Sequence, residues 1–326
     1  MSYYFNIPSL NNLTCSQRNA INSDESIAVS GGPGTGKSVV SLYRHINLWN
    51  NGKHSLLLTY TTTLKLYLEK CCETKNKRAS ENVETTYRAA YRLRKSYHEI
   101  IIDEAQDVSI DVYNMLADKC KYISFGADES QSLYPENGTS YSELYEFVDS
   151  VNNSYLTECL LDSNFRNTKA ILRFTRQAFP RAKISLSDIN NSMTPEGNMP
   201  ILFVTNESKY QTSSESQDNT IIEILGNYAE SGHNIAILCP WAKYVDYFYN
   251  IIKNDFDDVT YYYSRDNSEY GINEIGSIHI TTFKSAKGLE FDTVIIPNFD
   301  RAFENFDPKF HIDWNDFYVG CCHTIY

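Results

Sequence analysis

The run GGPGTGKS at positions 31–38 constrains the fold more than any other part of this chain. It follows the apolar segment SIAVS and opens the helical pattern SVVSLYRHINLW, so it joins a buried strand to a helix. Glycines let backbone N–H groups turn inward around phosphate oxygens, and the helix N-terminus adds its positive dipole end. The run therefore predicts an α/β domain whose loop wraps the phosphates of a nucleotide through Gly32, Pro33, Gly34, Thr35 and Gly36.

Two side chains at the end of the loop and two acids further along carry the expected chemistry. Lys37 is expected to reach the β- and γ-phosphates, and the Ser38 hydroxyl to hold Mg²⁺. The segment IIIDEAQD at 100–107 reads as a buried strand that ends in two acids. We expect Asp103 to hold Mg²⁺ through water and Glu104 to act as general base toward the attacking water. An acidic turn alone would be weak evidence, but its place after a phosphate loop makes it specific.

Composition sets the class of protein. At 326 residues, with 42% hydrophobic and 21% charged residues, the chain suits two globular domains. It contains no run of about 20 apolar residues, no secretory pattern at its start and no zinc-like spacing among its eight cysteines. We therefore expect a cytoplasmic protein with reduced thiols. The net charge of −12 argues against easy nucleic-acid binding, because such contacts depend on Lys and Arg.

Apolar runs alternate with helical patterns in both halves, which predicts two similar α/β domains with parallel sheets and a cleft between them. We place the domains at residues 1–159 and 160–326. The predicted strands are Ser26–Ser30, Ser55–Tyr60, Glu99–Ile102, Lys121–Phe125, Ile201–Thr205, Asn234–Leu238, Val259–Tyr263, Ser277–Thr282 and Thr293–Ile296. The predicted helices are Ser38–Trp49, Ser109–Lys119, Thr220–Glu230 and Ala242–Asn254, and the predicted loops are Ser185–Met199 and Glu207–Asn219.

Taken together, segments spanning residues 13–292 resemble, in order, the motifs of superfamily 1 helicases of the UvrD/PcrA/Rep group. The DEAQD form of the acidic segment is characteristic of that group. The other nucleotide-side segments are LTCSQR at 13–18, ADESQSLY at 127–134, NFR at 164–166 and TTFKSAKGLEFD at 281–292. The resemblance implies two RecA-like P-loop NTPase domains that use ATP and Mg²⁺.

The same resemblance assigns roles to individual residues of the nucleotide side. Gln17 would contact adenine, Phe165 would stack on it, and Gln131 would sense the γ-phosphate. Arg166 would act as an arginine finger from across the cleft, and Gly288 and Glu290 would face the nucleotide. An ordinary surface ion pair would also account for Arg166.

The resemblance further implies contacts with single-stranded DNA. Within the segments LTYTT, ETTY, QSLY and TTFK, these contacts fall on Tyr60, Thr61, Thr86, Tyr134, Thr282 and Lys284. Tyr60 and Tyr134 would lie near the bases, although an aromatic residue is more often part of a core.

Departures from the family pattern bear on function. Only about forty residues separate the TYTT segment from DEAQD, and the second half has no room for a large insertion, so the inserted helicase subdomains are expected to be missing. Glu136 stands near the expected position of a coupling Trp, and His323 stands where a second arginine finger is usual. Neutral histidine supplies no such charge. The sequence stops at Tyr326, which suits a piece of a longer protein as well as a complete one.

Two functions remain open at this stage. The first is an ATPase that depends on single-stranded nucleic acid and translocates along it, with weak or no unwinding alone. The second is a nucleotide-gated sensor or regulatory subunit of a complex that contains a nuclease, as in anti-phage defence. A small-molecule kinase is disfavoured because it leaves the QSLY and KGLEFD segments unexplained.

Overall fold

The computed structural model describes residues 3, 5, 7–132, 138–152, 155–180, 184–204, 215–264, 272–299 and 314–324. The chain divides into two compact units. The first unit is Phe5–Phe165, and the second is Arg166–Tyr326 together with Met1–Tyr4. The division therefore falls inside the NFR segment, and the extreme N-terminus belongs to the second unit.

Six parallel strands form the sheet of the first unit, in the order β3-β2-β4-β5-β1-β6. They are β1 (Ser26–Gly31), β2 (Ser55–Thr59), β3 (Val83–Thr85), β4 (Tyr97–Ile102), β5 (Cys120–Ala127) and β6 (Leu156–Leu161). Apolar runs such as Leu56–Leu58 and Ile100–Ile102 are buried, as strands covered on both faces require. The four strands predicted in this half are confirmed. Strands β3 and β6 escaped prediction because they are edge strands, and β6 buries only its two end residues.

Seven α-helices connect or flank these strands in the described part of the first unit. They are α1 (Cys15–Asn22), α2 (Lys37–Asn50), α3 (Thr62–Glu73), α4 (Lys77–Ser80), α5 (Thr86–Arg92), α6 (Ile110–Ala117) and α7 (Tyr141–Asn152). Side-chain caps start several of them: Thr14 and Gln17 form a capping box on α1, and the Thr61 hydroxyl accepts from Leu64 N on α3. The predicted helices Ser38–Trp49 and Ser109–Lys119 are confirmed as α2 and α6.

The second unit contains a four-stranded parallel sheet in the order β10-β7-β9-β8. Its strands are β7 (Ile235–Cys239), β8 (Val259–Tyr262), β9 (Ile278–Thr282) and β10 (Thr293–Ile295). Its described helices are α8 (Lys169–Ala178), α9 (Leu186–Asn190), α10 (Glu215–Ala229), α11 (Ala242–Ile252), α12 (Phe283–Ala286) and α13 (Trp314–Cys322). Strand β7 is buried along its whole length, as expected for a strand with neighbours on both sides.

Three predictions for the second half need correction. The strand predicted at Ile201–Thr205 is wrong for its described part, because Ile201–Val204 lie outside any strand and are 56–79% exposed. Apolar residues form a strand only where a neighbouring strand accepts their backbone hydrogen bonds. The loop predicted at Ser185–Met199 contains α9, which starts with a capping box between Ser185 and Asp188. Likewise α10 begins at Glu215, inside the second predicted loop.

The predicted class of two α/β domains with parallel sheets is confirmed. Each unit has a parallel sheet wound by helices. No helix in the described ranges combines the length and the hydropathy that crossing a bilayer requires.

Candidate nucleotide site

The loop between β1 and α2 adopts a backbone that its glycines permit. Gly34 and Gly36 have φ values of 70° and 89°, in the left-handed region that glycine enters without strain. A Cβ atom on Gly36 would lie 2.5 Å from Gln17 Nε2. Gly36 also precedes the first residue of α2, so the helix N-terminus opens at Lys37 toward the loop. The segment is therefore built to hold an anion against backbone N–H groups.

Lys37 places its ammonium group inside this loop. The side chain is buried, and Nζ donates to Gly31 O at 2.7 Å and to Gly32 O at 2.9 Å. Nζ also lies 3.5 Å from Asp128 Oδ2. The positive charge is thus held at the centre of the loop, where phosphate oxygens would replace the carbonyl and carboxylate partners.

Asp103 follows directly after β4 and is almost completely buried. Its Oδ1 accepts from Ser41 Oγ at 3.4 Å, while its Oδ2 has no hydrogen-bond partner among the described residues. Burial raises the pKa of the Asp103 carboxyl to about 7; the Glu104 carboxylate adds to this increase, and a hydrogen bond from Ser38 opposes it. A buried carboxylate oxygen whose lone pairs accept no hydrogen bond, close to a serine hydroxyl, fits a hard divalent cation such as Mg²⁺.

Glu104 has an unusual backbone conformation for a residue with a side chain, with φ 56° and ψ 42°. Left-handed conformations in non-glycine residues are uncommon and cluster at functional sites. This conformation ends β4 and starts the short turn Ala105–Asp107. The Glu104 carboxylate is buried and accepts from Gln106 Nε2 at 2.7 Å. The general base predicted from the sequence is therefore held in one position.

Gln106 joins the two acidic segments of the first unit, a role that the sequence analysis did not assign. Its Oε1 accepts from the backbone N–H of Asp128 at 3.1 Å while its Nε2 holds Glu104. Asp128 in turn accepts from Gln131 Nε2 and from the Lys37 ammonium. One amide therefore links the expected base to the expected γ-phosphate sensor. Gln106 belongs to the DEAQD segment, but no local pattern indicated that it would bind Asp128, which lies 22 positions away in the chain.

Residues from both ends of the first unit fasten the loop. Gln17 is buried, with its Nε2 donating to Thr35 O at 2.9 Å and its Oε1 accepting from Thr14 N at 2.9 Å. Asn164 Nδ2 donates to Pro33 O at 2.7 Å, and Phe165 N donates to Gly34 O at 2.8 Å. Although the sequence placed NFR in the second domain, its first two residues belong to the first unit. The Phe165 ring is 39% exposed beside the loop.

In the second unit an ion pair links two of the predicted site residues. Arg166 Nη2 lies 2.6 Å from Glu290 Oε1, and Arg166 Nε donates to the same oxygen at 2.7 Å. The Tyr3 hydroxyl donates to Glu290 O at 2.7 Å, and its ring packs edge-on against Phe291. Tyr3 therefore fixes the backbone of the segment that presents Glu290. No sequence signal pointed to Tyr3, because nothing local connects positions 3 and 290.

His323 is also part of this packing. Its side chain is 2% exposed, and Nδ1 donates to Leu289 O at 2.7 Å. Gly288, two residues before Glu290, has a φ of 84° and so uses the conformational freedom of glycine. The histidine at the position of the second arginine finger thus supports the KGLEFD segment.

The residues predicted to contact DNA divide into two groups. Three threonines have structural roles: Thr61 and Thr282 cap α3 and α12, and the buried Thr86 hydroxyl donates to Thr59 O at 2.9 Å. Thr86 therefore does not present its side chain to solvent, because it joins α5 to the end of β2. Tyr60 and Lys284 are half-buried and reach the surface. Tyr134 lies outside the described residues.

Comparison with known proteins gives one family match over most of the chain. The model of the Schlafen group 3 DNA/RNA helicase domain matches residues 24–298. A protein of Acanthamoeba polyphaga mimivirus, named "Putative ATP-dependent DNA helicase R568", is 26% identical over 233 residues. That alignment covers 66% of this chain and 31% of the viral protein, so the chain spans about a third of that relative's length.

Two solved structures are also similar. The arterivirus nonstructural protein 10 helicase in complex with DNA has a TM-score of 0.43 and 12% identity, covering 95% of this chain and 61% of that one. The Hef helicase domain of Pyrococcus furiosus has a TM-score of 0.37 and 10% identity, covering 94% of this chain and 92% of that one. Both likenesses are distant.

Proposed function

Because the chain belongs to the Schlafen group 3 DNA/RNA helicase domain family, we propose that it is an ATPase stimulated by single-stranded nucleic acid, along which it moves. We further propose that it is UvrD-like, with weak or no duplex unwinding alone. The observation that carries the proposal is the first unit's site, in which Lys37, Asp103 and Glu104 are buried around one glycine loop. The name of the mimivirus relative, which includes ATP dependence and DNA, supports the choice of substrates.

In the proposed mechanism each group of the first unit has one task. The loop N–H groups and Lys37 bind and neutralise the phosphates of ATP, and the exposed Phe165 ring stacks on the base. Ser38 and Asp103 would hold Mg²⁺, which when bound neutralises charge on the transferring phosphate. Glu104 takes the proton of the attacking water, and Gln106 keeps its carboxylate oriented. Gln131 reports the γ-phosphate through its hydrogen bond to Asp128.

The second unit is proposed to contribute positive charge to turnover through Arg166, with Glu290 as the residue that orients it. Two Arg166 nitrogens contact one Glu290 oxygen, and the Arg166 side chain is 15% exposed, so the pair holds the guanidinium in one position. An arginine finger contributes about 10³-fold or more in other phosphoryl-transfer enzymes. We therefore expect Arg166→Ala to slow turnover strongly while leaving ATP bound.

ATP turnover measured with and without single-stranded DNA, single-stranded RNA and duplex tests the proposal. Single strands should raise the rate. Glu104→Gln should lower it by about 10²- to 10⁴-fold with ATP binding retained, because the base is removed and the loop is intact. Lys37→Ala should abolish both binding and turnover. Lys70→Ala, an exposed lysine of α3, is the matched control and should behave like the parent protein.

Turnover that no nucleic acid changes would contradict the motor, whereas unchanged turnover in Glu104→Gln would contradict the assigned base. Strand displacement from a duplex should be weak in the same preparation. Efficient displacement by this chain alone would contradict the compact-translocase part of the proposal.

A second candidate function is a nucleotide-gated regulatory subunit, for example of a nuclease in anti-phage defence. The buried position of His323 favours it, because a side chain used in packing supplies no arginine-like charge for fast hydrolysis. In this case ATP should bind tightly, turn over slowly and control association with a protein encoded nearby. Co-purification in the presence and absence of ATP distinguishes the two functions, and association that ATP does not change would contradict this one.

A further inference from the structure

Helix α5 exposes one row of tyrosines and one row of arginines on its solvent side. Thr86, Ala89 and Ala90 form its buried face. Tyr87 and Tyr91 are 37% and 74% exposed and stand four residues apart, so they lie on one side of the helix. Arg88 and Arg92 form a second exposed row beside them. Burying an aromatic ring is favourable, so the packing of this unit does not explain why the Tyr91 ring is left so exposed beside Tyr87.

Positive charge is concentrated at the same place. Arg88, Arg92, Arg94 and Lys95 lie within eight residues of a chain whose net charge is −12. Arg88 pairs with Glu84 at 3.4 Å. In the described part of the chain the other three make no ion pair within 4.0 Å, and all three are exposed. This is therefore a local basic area on an acidic protein, which an anionic partner would complement.

The surface begins at the edge of the first unit's sheet that carries the phosphate loop. The Thr86 hydroxyl donates to Thr59 O at the carboxyl end of β2. Tyr60 directly follows Thr59, and its ring packs edge-on against the Tyr87 ring, with 5.9 Å between the ring centroids. Because the neighbouring strands from β2 to β1 are all parallel, their carboxyl ends share one edge. We define the tyrosine–arginine surface as Tyr60, Tyr87, Arg88, Tyr91, Arg92, Arg94 and Lys95.

We propose that the tyrosine–arginine surface binds single-stranded nucleic acid, with unpaired bases stacked on Tyr87 and Tyr91 and phosphates on Arg92, Arg94 and Lys95. Residues four apart on a helix are separated by about 6 Å along its axis, a step that suits successive bases of an extended strand. Aromatic platforms interleaved with cations are the features by which proteins hold single strands without sequence preference. A duplex hides its base faces, so it would use only the cations.

This inference rests on the proposed dependence on a nucleic-acid strand and names the surface that the strand occupies. Binding of the full chain to a fluorescein-labelled 20-mer of deoxythymidine, and to the uridine 20-mer, tests it by fluorescence anisotropy. Tyr87→Ala/Tyr91→Ala should weaken binding by about 5- to 100-fold. Tyr91→Phe should bind within about twofold of the parent protein, because the ring is kept.

The cations are tested separately by salt dependence. Arg92→Ala/Arg94→Ala should lower the slope of log Kd against log salt concentration by about one for each phosphate that the variant no longer neutralises. Matched controls are Tyr155→Ala, which removes an 81% exposed ring of the first unit, and Lys75→Ala, which removes an exposed cation between α3 and α4. Both controls should bind like the parent protein.

Several outcomes would overturn the inference. Unchanged binding in both double variants would do so, as would equally weakened binding in the controls, or displacement of the strand by polyglutamate at equal charge. If single strands stimulate ATP turnover but the surface variants bind them normally, the inference fails and the proposed function stands. If the surface variants lose strand binding but single strands do not change the ATP turnover of the parent protein, the inference stands and the proposed motor function is contradicted.

Discussion

The two units hold their predicted site residues in different ways. In the first unit Lys37, Asp103 and Glu104 sit at the edge of a six-stranded sheet and are buried by the elements around them. In the second unit, with a four-stranded sheet, Arg166 and Glu290 hold each other in one partly exposed ion pair. The first unit thus holds its charges by burial, with backbone carbonyls around Lys37 and side-chain partners on Asp103 and Glu104. The second unit holds its two charges by one ion pair.

Charged pairs away from the sites repeat this contrast. In the first unit the Arg44 guanidinium is buried and makes five hydrogen bonds, to both Glu99 oxygens and to the carbonyls of Ala20, Ser23 and Glu25. In the second unit Arg173 pairs with Glu196, and both side chains are about half exposed. Solvent screens the exposed pair, while the buried one cannot lose a partner without leaving an unpaired charge.

The largest effect should therefore come from the buried pair. Glu99→Gln should lower the free energy of unfolding of the first unit by about 3–5 kcal/mol, because Arg44 keeps its charge and loses its counter-charge. Arg173→Ala should change the free energy of unfolding of the second unit by only about 0–1 kcal/mol. Hydrogen–deuterium exchange measures each unit separately, through β4 and β9.

The double variant Arg44→Met/Glu99→Leu is the control for this prediction. It removes both charges together and should recover part of the stability. If Arg173→Ala lowers the free energy of unfolding as much as Glu99→Gln does, the contrast between the two units is contradicted.

Lowering the pH should remove the stability that a buried neutral histidine gives each unit. In the first unit, protonation of Asp103, whose pKa is raised to about 7 by burial, should add stability over the same range and oppose that loss. Burial lowers the pKa of His45 to about 4 and that of His279 to about 3. Each unfolded histidine takes up a proton below about pH 6.5. The stability that each neutral histidine gives is thus complete above that pH and is lost as pH falls, down to about 4 for His45 and about 3 for His279.

Between pH 7 and 5 each unit should lose on the order of 1–2 kcal/mol from its histidine. Exchange rates of β2 and β9 across this range measure the change in the first and second units. Relative to the parent protein, His45→Gln should remove this loss from the first unit alone, where the opposing contribution of Asp103 remains. His279→Gln should remove it from the second unit alone. Equal pH dependence in the parent protein and both variants would show that other groups are responsible.

The smallest effect should follow Tyr3→Phe. The change keeps the ring against Phe291 and removes the hydroxyl that binds the Glu290 main chain. The hydroxyl donates to Glu290 O at 2.7 Å and accepts from Glu290 N at 3.4 Å, so its removal should cost about 1 kcal/mol and speed amide exchange at Glu290. Tyr155→Phe is the control, because that side chain is 81% exposed. Unchanged exchange at Glu290 would contradict the role given to Tyr3.

Sequence patterns predicted the local parts of the fold well. Continuous apolar runs predicted β1, β2, β4 and β5, because a strand buried on both faces has apolar residues at nearly every position. The edge strands β3 and β6 were missed, and Ile201–Val204 were wrongly given a strand, because pairing depends on a neighbour that is distant in sequence. At the site, the glycine loop and the two acids were predictable, whereas the links made by Gln106 and Tyr3 were not.

By itself the sequence determined that a glycine loop joins a strand to a helix, and which acids end the strand that should lie nearby. Those features depend on residues a few positions apart, so local chemistry specifies them. Only the tertiary structure decided that Thr86 is buried while Tyr91 is exposed, and that Lys37 meets Asp128 across 91 positions of the chain. Burial and long-range pairing arise from the packing of the whole unit, and a local pattern does not encode either.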